Sequence, residues 1–406
     1  MDRTTCCVVG GGPAGMVLGL LLARCGVPVT VLEKHGDFLR DFRGDTVHPS
    51  TLSLLDDLGL AGRFARLPQR HVQSVELPVG EGGRPLTVGR LDVLPGRYDY
   101  IAMVPQWDLL TLLSEVAAAE PAFTLRMDTA ATGFLDDHGR IAGVRYRTAD
   151  GRDGELRATL TVACDGRGSL ARSLPGLEVR SFRCPMDAWW FRLPRDRTDP
   201  EGLVVSAGER MITVMIDRGD YWQCGAMIPK GSDPERRAAG LDRFTDRFGA
   251  TAPWLGERAH ALRSWDEVPL LDVRLDRLRR WYLPGLLCIG DAAHAMSPIF
   301  GIGINLAVQD AVAAARYLAG RLPSDDVPES VLRRIQWRRW PTAAVAQTLQ
   351  RIAHDRVVAP ILAGAPRTEV SAILQRVAST PGLSRLPAYF FGYGAVRERP
   401  PAAARR

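Results

Sequence analysis

The most constraining feature of this chain lies near its start. Gly10-x-Gly12-x-x-Gly15 follows the apolar run Cys6-Cys7-Val8-Val9 and opens a segment in which Val17, Leu18, Leu21 and Leu22 recur at helical spacing. A second apolar run, Val27 to Leu32, ends at Glu33, close to the ~20 residues past the glycines at which an acid reaches a ribose hydroxyl. Strand, tight turn, helix and strand make a βαβ unit suited to a dinucleotide. Gly10 makes the turn, Gly12 lets backbone approach a pyrophosphate, and Gly15 lets helix and sheet pack. The helix start offers free N–H groups and a positive dipole end to phosphate, and Pro13 there lacks only a donor that would have no helical partner. This unit alone does not separate NAD from FAD.

The 406 residues are 46% hydrophobic and 24% charged, globular proportions that exclude a disordered, collagen-like or coiled-coil chain and allow two or three folding units. The formal charge of +6 is almost wholly arginine, lysine occurring only at Lys34 and Lys230, so it does not mark a nucleic-acid-binding stripe. The seven cysteines contain no Cys-x-x-Cys pair, fit neither a disulfide framework nor a metal site, and favour core thiols in a reducing cytoplasm. The apolar stretch Met16 to Ala23 is far short of the roughly 20 residues of a spanning helix, so a soluble chain with no membrane span is expected.

Residues 50–60 and 105–119 read as helices, and 72–100, rich in Gly, Pro and Val, as strands and turns of a different unit. From Phe182 to Ile228 the pattern is β: Trp189 to Leu193, Met211 to Ile216 and Tyr221 to Ile228, the last two joined by the hairpin connection Asp217-Arg218-Gly219-Asp220. Leu286 to Ile289 is an apolar strand of parallel-sheet style, followed by a Gly-rich turn and a long helix from about Ile304 to Leu322. The chain then reads as helical to about residue 379.

Four further segments occur in order: Arg43-Gly44-Asp45; Val104-Pro105-Gln106; Cys164-Asp165-Gly166-Arg167-Gly168-Ser169; and Gly290-Asp291-Ala292-Ala293-His294 followed by Pro298 and Gly301-Ile302-Gly303-Ile304-Asn305. With the N-terminal turn they make residues 5 to 320 resemble the class A flavoprotein monooxygenases, the family of para-hydroxybenzoate hydroxylase. The resemblance implies an α/β fold: a Rossmann-type FAD-binding domain of the GR2-like flavoprotein kind, an inserted mainly β substrate domain and C-terminal helices. The expected boundaries are 1–75, 100–180 and 270–325 for the FAD-binding domain, 76–99 and 181–269 for the substrate domain, 326–380 for the helices and 381–406 for a flexible tail.

The resemblance also implies site residues. Gly10, Gly12, Ala14, Gly15, Glu33 and Lys34 would cradle the adenosine half of FAD, and Arg43 and Gln106 would contact its pyrophosphate and ribityl region. Asp165 would help place FAD on the path of NAD(P)H, and Asp291, after Gly290, would accept from ribityl hydroxyls. Pro298, Phe300, Gly301, Gly303, Ile304 and Asn305 would lie against the isoalloxazine, with a helix dipole near Gly303 aimed at the edge where reduced flavin carries negative charge. Phe300 stands where the family pattern calls for another glycine, and its ring would narrow the approach of oxygen or substrate. His48 is a candidate base beside Pro298, Phe300 and Gly301, and His294 a packing residue of the flavin-side turn.

The implied chemistry is the cofactor's. NADH or NADPH reduces FAD, O2 adds at the flavin C4a position, and the hydroperoxide passes one oxygen to an aromatic or polycyclic small molecule. The protein must hold substrate and exclude water. Met211, Thr213 and Met215 share one face of their strand and Ile212, Val214 and Ile216 the other, so one set faces a core and one roofs a cavity. Trp189, Met211, Thr213, Met215, Tyr221 and Gln223 are the candidate substrate residues, since aromatic and soft side chains suit a flat apolar ligand, although the same period suits plain core. A flavin-dependent reductase, dehydrogenase or oxidative cyclase, a non-catalytic flavin-fold binding protein and an NAD-dependent dehydrogenase are the alternatives. A monomer or homodimer is expected.

Overall fold

The strand Asp2–Val9 pairs in parallel with Val29–Leu32 on one side and Asp153–Ala163 on the other. It belongs to a computed structural model that describes residues 2–39, 46–77, 86–92, 94, 96–208, 210–325, 327–365, 389–390, 392–394 and 396–406. Phe123–Arg126 lies beyond Val29–Leu32 and Leu286–Cys288 beyond Asp153–Ala163, also in parallel, at the centre of an eight-stranded sheet. Strands covered on both faces need no alternation, which is why the consecutive residues Cys6, Cys7, Val8 and Val9 are all buried, Cys6 and Val8 in one cluster and Cys7 and Val9 in another. Thr129–Asp137 and Arg140–Thr148 extend Asp153–Ala163 as an antiparallel meander.

The helices Pro13–Arg24 and Gly303–Leu318 pack together in the same core cluster as this sheet. By composition Ile299–Leu318 is long and apolar enough to cross a membrane, but its window is 67% buried inside the protein, so it is a core element and a longer apolar run than Met16 to Ala23.

A second sheet holds five antiparallel strands in the order Leu203–Gly208, Met211–Asp217, Tyr221–Pro229, Met186–Pro194, Leu270–Leu271. The hairpin at Asp217 to Asp220 turns at Gly219, where φ is +94° and the N–H donates to Asp217 Oδ1 at 2.8 Å. The fully buried Asp217 carboxylate also meets Arg195 at 3.0 Å and Arg70 at 3.2 Å, which ties this sheet to the short sheet carrying Arg70–Val72 and Ile101–Met103. One face packs Trp189, Phe191, Met211, Met215 and Trp222 against Phe244 and Phe248 of the Leu241–Thr251 helix. The opposite face carries Trp190, Ile212, Val214, Gln223, Gly225 and Met227.

The helix Glu329–Ala353 packs on Gly303–Leu318 and continues through a π-turn, His354–Val358, into Ala359–Ala363. Residues 366–388, which span the end of the expected helices and the start of the expected tail, lie outside the described residues. Residues 396–406 correct the expectation of a flexible tail. Glu398 and Ala404 are buried, Arg316 and Arg338 donate to the Glu398 carboxylate at 3.1 and 2.8 Å, and Arg24 donates to the Ala404 carbonyl at 3.2 Å. A segment rich in Pro, Ala and Arg reads as solvated by composition, but a carboxylate facing arginines on neighbouring helices docks it.

Candidate cofactor and substrate site

The first glycine turn meets two different demands. A Cβ at Gly10, where φ is +102°, would lie 2.7 Å from the Cys164 carbonyl oxygen, and one at Gly15 would lie 2.0 Å from the Gly10 oxygen. Both glycines are therefore required by contacts inside the protein. A Cβ at Gly12 would meet nothing within 4 Å, and Gly12 caps the start of Pro13–Arg24, so its small size serves the open side of the turn. Glu33 is 1% exposed; its Oε2 accepts from Gly11 N at 2.8 Å and its Oε1 from His35 N at 3.0 Å. Lys34 points to solvent beside it. Ala14 touches the second turn, where a Cβ on Gly290 (φ +59°) would lie 3.4 Å from Ala14 Cβ and 3.1 Å from Ala307 Cβ.

Asp165 sits next to Gly10 across the sheet. Its Oδ2 accepts from Leu170 N at 3.0 Å, while its buried Oδ1 has no hydrogen-bond partner among the described residues. Burial pushes this carboxyl above the ordinary carboxylate range, against smaller lowering pulls from Ser169 and Leu170. Asp291 remains partly open, its Oδ2 3.3 Å from Arg167 Nη2. Arg172 grips the same turn, donating to the Asp291 and Ala292 carbonyls at 2.6 and 3.1 Å and in bidentate fashion to Asp276 at 2.8 and 3.1 Å. Beneath it, Asp310 Oδ2 accepts from Gly290 N at 3.1 Å and from His294 Nε2 at 2.6 Å, and its Oδ1 from Arg339 Nε at 2.8 Å. Burial alone would raise Asp310, but His294 and Arg339 hold it below its ordinary value. His294 thus packs and bonds within the turn.

The third turn, Pro298 to Gly303, is strained. Phe300 has φ +71° and Gly301 φ +60°. Thr46 Oγ1 donates to the Gly301 carbonyl at 2.6 Å and His48 Nε2 to the same oxygen at 3.1 Å. His48 is fully buried, and its Nε2 on the Gly301 carbonyl holds the turn. Gly303 begins the long helix, Ile304 is partly buried, and Asn305 accepts the Ser50 and Thr51 hydroxyls at 2.5 and 2.8 Å on Oδ1. Gln106 begins the Gln106–Ala118 helix and is partly buried. Arg43 lies outside the described residues.

Four of the expected substrate residues face away from this turn. Trp189, Met211 and Met215 belong to the aromatic core under Leu241–Thr251, with Trp189 and Phe244 ring centres 4.9 Å apart, and Thr213 Oγ1 is engaged by Ser206 O and Thr251 Oγ1. The opposite face packs on the third turn, since Ile299 joins a cluster with Trp190, Ile212, Val214 and Met227. Gln223 shares that face and accepts from Arg218 Nε at 3.0 Å, while Tyr221 stacks under Arg192, 4.7 Å from its ring centre. Trp190 lies over Gly225, where a Cβ would be 3.1 Å from the indole edge, and its buried Nε1 has no acceptor among the described residues.

Residues 3–346 match a protein family described as FAD binding domain. The chain belongs to the FAD-dependent class A monooxygenases. It is 35% identical over 353 residues to 6-methylpretetramide 4-monooxygenase of Streptomyces rimosus, across 86% of this chain and 83% of that protein. It is 30% identical over 363 residues to rifampicin monooxygenase of Streptomyces venezuelae, across 83% and 68%. Among solved structures, anhydrotetracycline hydroxylase from Streptomyces rimosus has the same fold, with a TM-score of 0.77 over 98% of this chain and 77% of that one at 23% identity. This monooxygenase uses FAD with NAD(P)H and O2, and the reductase, cyclase, carrier and NAD-dehydrogenase readings are not favoured.

FAD fits the residues present. The monooxygenase offers backbone without packing neighbours at Gly12, an unpaired carboxylate oxygen on Asp165 and a partly open carboxylate on Asp291. Several of its working residues have little sequence signature. Asp310 had a usable signal, a lone acid within an apolar helix, whereas Arg172 and Arg339 sit among other arginines that look alike.

Proposed function

We propose that this monooxygenase hydroxylates a flat polycyclic aromatic substrate held between the flavin and the Trp190 face of the second sheet. The observation that carries this reading is the Trp190 and Gly225 pair. Glycine lets the indole lie close on the sheet, extending the apolar wall of Ile212, Val214 and Met227, and leaves one unpaired N–H able to donate to a phenol or carbonyl oxygen. The relative named for 6-methylpretetramide supports a substrate of several fused rings.

Glu33 would hold the adenosine ribose, with Lys34 and Ala14 beside it. The backbone at Gly10, Gly12 and Gly15, with Arg43 and Gln106, would hold the pyrophosphate and its ribityl neighbour. Asp291, braced by Arg167, would accept from the ribityl chain, and Asp165 Oδ1 would accept from a bound donor. When bound, FAD supplies the redox chemistry, taking a hydride from NAD(P)H and delivering one oxygen atom of O2. The start of Gly303–Leu318 would direct its dipole at negative charge on the reduced ring, and Pro298, Ile299 and Phe300 would keep water from the reacting face. Tyr221 and Gln223 border the same wall. All seven cysteines are free thiols, in keeping with a reducing compartment such as the cytoplasm.

The test is a panel of tetracyclic and monocyclic phenols, read by NADH and NADPH oxidation and by label from isotopic oxygen. Tetracyclic phenols should accelerate oxidation at least tenfold and gain one labelled atom. Equal stimulation by monocyclic phenols would overturn the substrate class, and unlabelled product would overturn oxygen transfer.

A further inference from the structure

Past the middle of the Glu329–Ala353 helix, polar residues take the place of a packing stripe. Gln347, Gln350 and His354 are each no more than 1% exposed, and their spacing puts them on one face. Gln347 donates to the Asp276 and Ala295 carbonyls at 2.7 and 3.2 Å. Gln350 Nε2 donates to the Ser297 and Ile299 carbonyls, both at 2.8 Å, and its Oε1 accepts from Ser297 N at 3.2 Å. His354 Nε2 lies 2.9 Å from Ser297 Oγ, which in turn accepts from Ile299 N at 3.3 Å. The helix abandons regular geometry at His354, where the π-turn begins, and Val358 beyond it packs in the cluster that contains Ile299.

The next residues along the gripped segment are Phe300 and Gly301, both in the left-handed region. A side-chain-bearing residue stays there only when its surroundings over-determine it. Thr46 and His48 hold the far side of the same turn through the Gly301 carbonyl. The turn is therefore pinned from two elements distant in sequence.

We propose that Gln350 and His354 are positioning residues that clamp the Pro298 to Gly303 turn in the conformation oxygen transfer requires. Neither reaches the reacting atoms; both act through main chain. The proposal rests on the assignment of this turn to the flavin, so one readout is taken on protein without FAD. Gln336 supplies the control. It lies on the same helix, about 21 Å along the axis before Gln350 at 1.5 Å per residue, and makes two comparable bonds, to Arg279 O at 2.9 Å and from Trp281 N at 3.0 Å.

In apoprotein, Gln350→Ala should speed amide hydrogen exchange at residues 299–303 at least tenfold, and Gln336→Ala should not. With FAD bound, Gln350→Ala and His354→Phe should change the visible circular dichroism of the flavin and raise peroxide released per NAD(P)H at least threefold. His354→Gln, which keeps a nitrogen near the Nε2 position, should restore both. The His354 pair carries the comparison if Gln350→Ala does not fold. Unchanged exchange, equal change in Gln336→Ala, or faster exchange with an unaltered flavin spectrum would each overturn the clamp. Wild-type protein that takes up no FAD would overturn the flavin assignment and the clamp's role with it, and the apoprotein exchange distinguishes that failure from a turn that was never held.

Discussion

Phe300 shows how one residue stores strain beside a reacting centre. Its left-handed backbone costs about 1–2 kcal/mol for a residue with a Cβ, and since the residue is 41% exposed its partial burial returns about 1–2 kcal/mol. Phe300→Gly removes that strain but loses the burial and adds about 0.5–1 kcal/mol of chain entropy in the unfolded state. The apoprotein Tm should stay level or fall by a few degrees; a rise would show that the strain outweighs what the ring buries. The family pattern marked this position as a departure, and the positive φ gives the reason glycine suits it. His354 gives a second residue-scale expectation. Burial pushes its imidazole below the ordinary value, against smaller opposing pulls from the Asp355 carboxylate and the Arg183 backbone. The unfolded chain titrates near 6.5, so between the two values it binds more protons than the folded protein. This contribution to stability is complete above about pH 6.5 and is lost as pH falls. Urea melts of wild type and His354→Gln should show the steeper loss below about pH 6.5 in wild type, and parallel curves would assign the slope to other groups.

Among elements, the second sheet is where sequence pattern and structure part. A period of two states that Met211, Thr213 and Met215 share a side, and the structure agrees, but both sides of this sheet are covered. The Leu241–Thr251 helix takes the side that had been expected to meet substrate, which leaves Trp190, Val214 and Gly225 facing the Ile299 turn. Gly225→Ala tests that face. Its Cβ would arrive 3.1 Å from the indole, so the ring must shift by tenths of an ångström, an overpacking worth about 1–3 kcal/mol. The displaced indole no longer lies flat in the wall, so KM for a polycyclic substrate should rise several-fold with a smaller change in kcat. An unchanged KM would remove this face from the substrate wall.

Across the whole molecule, a buried chain of charges joins the second turn to the C-terminal residues. Gly290 N meets Asp310, Asp310 meets Arg339, and Arg339 lies 3.6 Å from Glu398, which also holds Arg316 and Arg338. Glu398→Ala leaves Arg339, only 1% exposed, with Asp310 alone as its counter-charge among the described residues, and takes the shared carboxylate from Arg316 and Arg338. Losing hydrogen bonds to a charged group in this way costs about 1.5–3 kcal/mol. Denaturant melts should show a loss within that range together with weaker FAD retention, because Arg339 braces the carboxylate that holds Gly290. A loss below about 0.5 kcal/mol would place Glu398 among surface ion pairs of little consequence.

The amino-acid sequence alone determined the βαβ start, the three glycine turns, Glu33 and the parallel core. The βαβ start depends on neighbours a few residues away, a Gly15 Cβ against the Gly10 oxygen, a helix start and a run of apolar residues, whereas the later glycine turns were legible through the family motif, their close contacts coming from distant residues such as Ala14 and Thr46. Tertiary structure alone decided which face of the second sheet meets the flavin-side turn, that His48 is spent on Gly301, that Gln350 and His354 grip Ser297, and that residues 396–406 dock. Those outcomes depend on partners brought together from distant parts of the chain, and neither the repeat of a strand nor the spacing of a helix carries the identity of what will cover it.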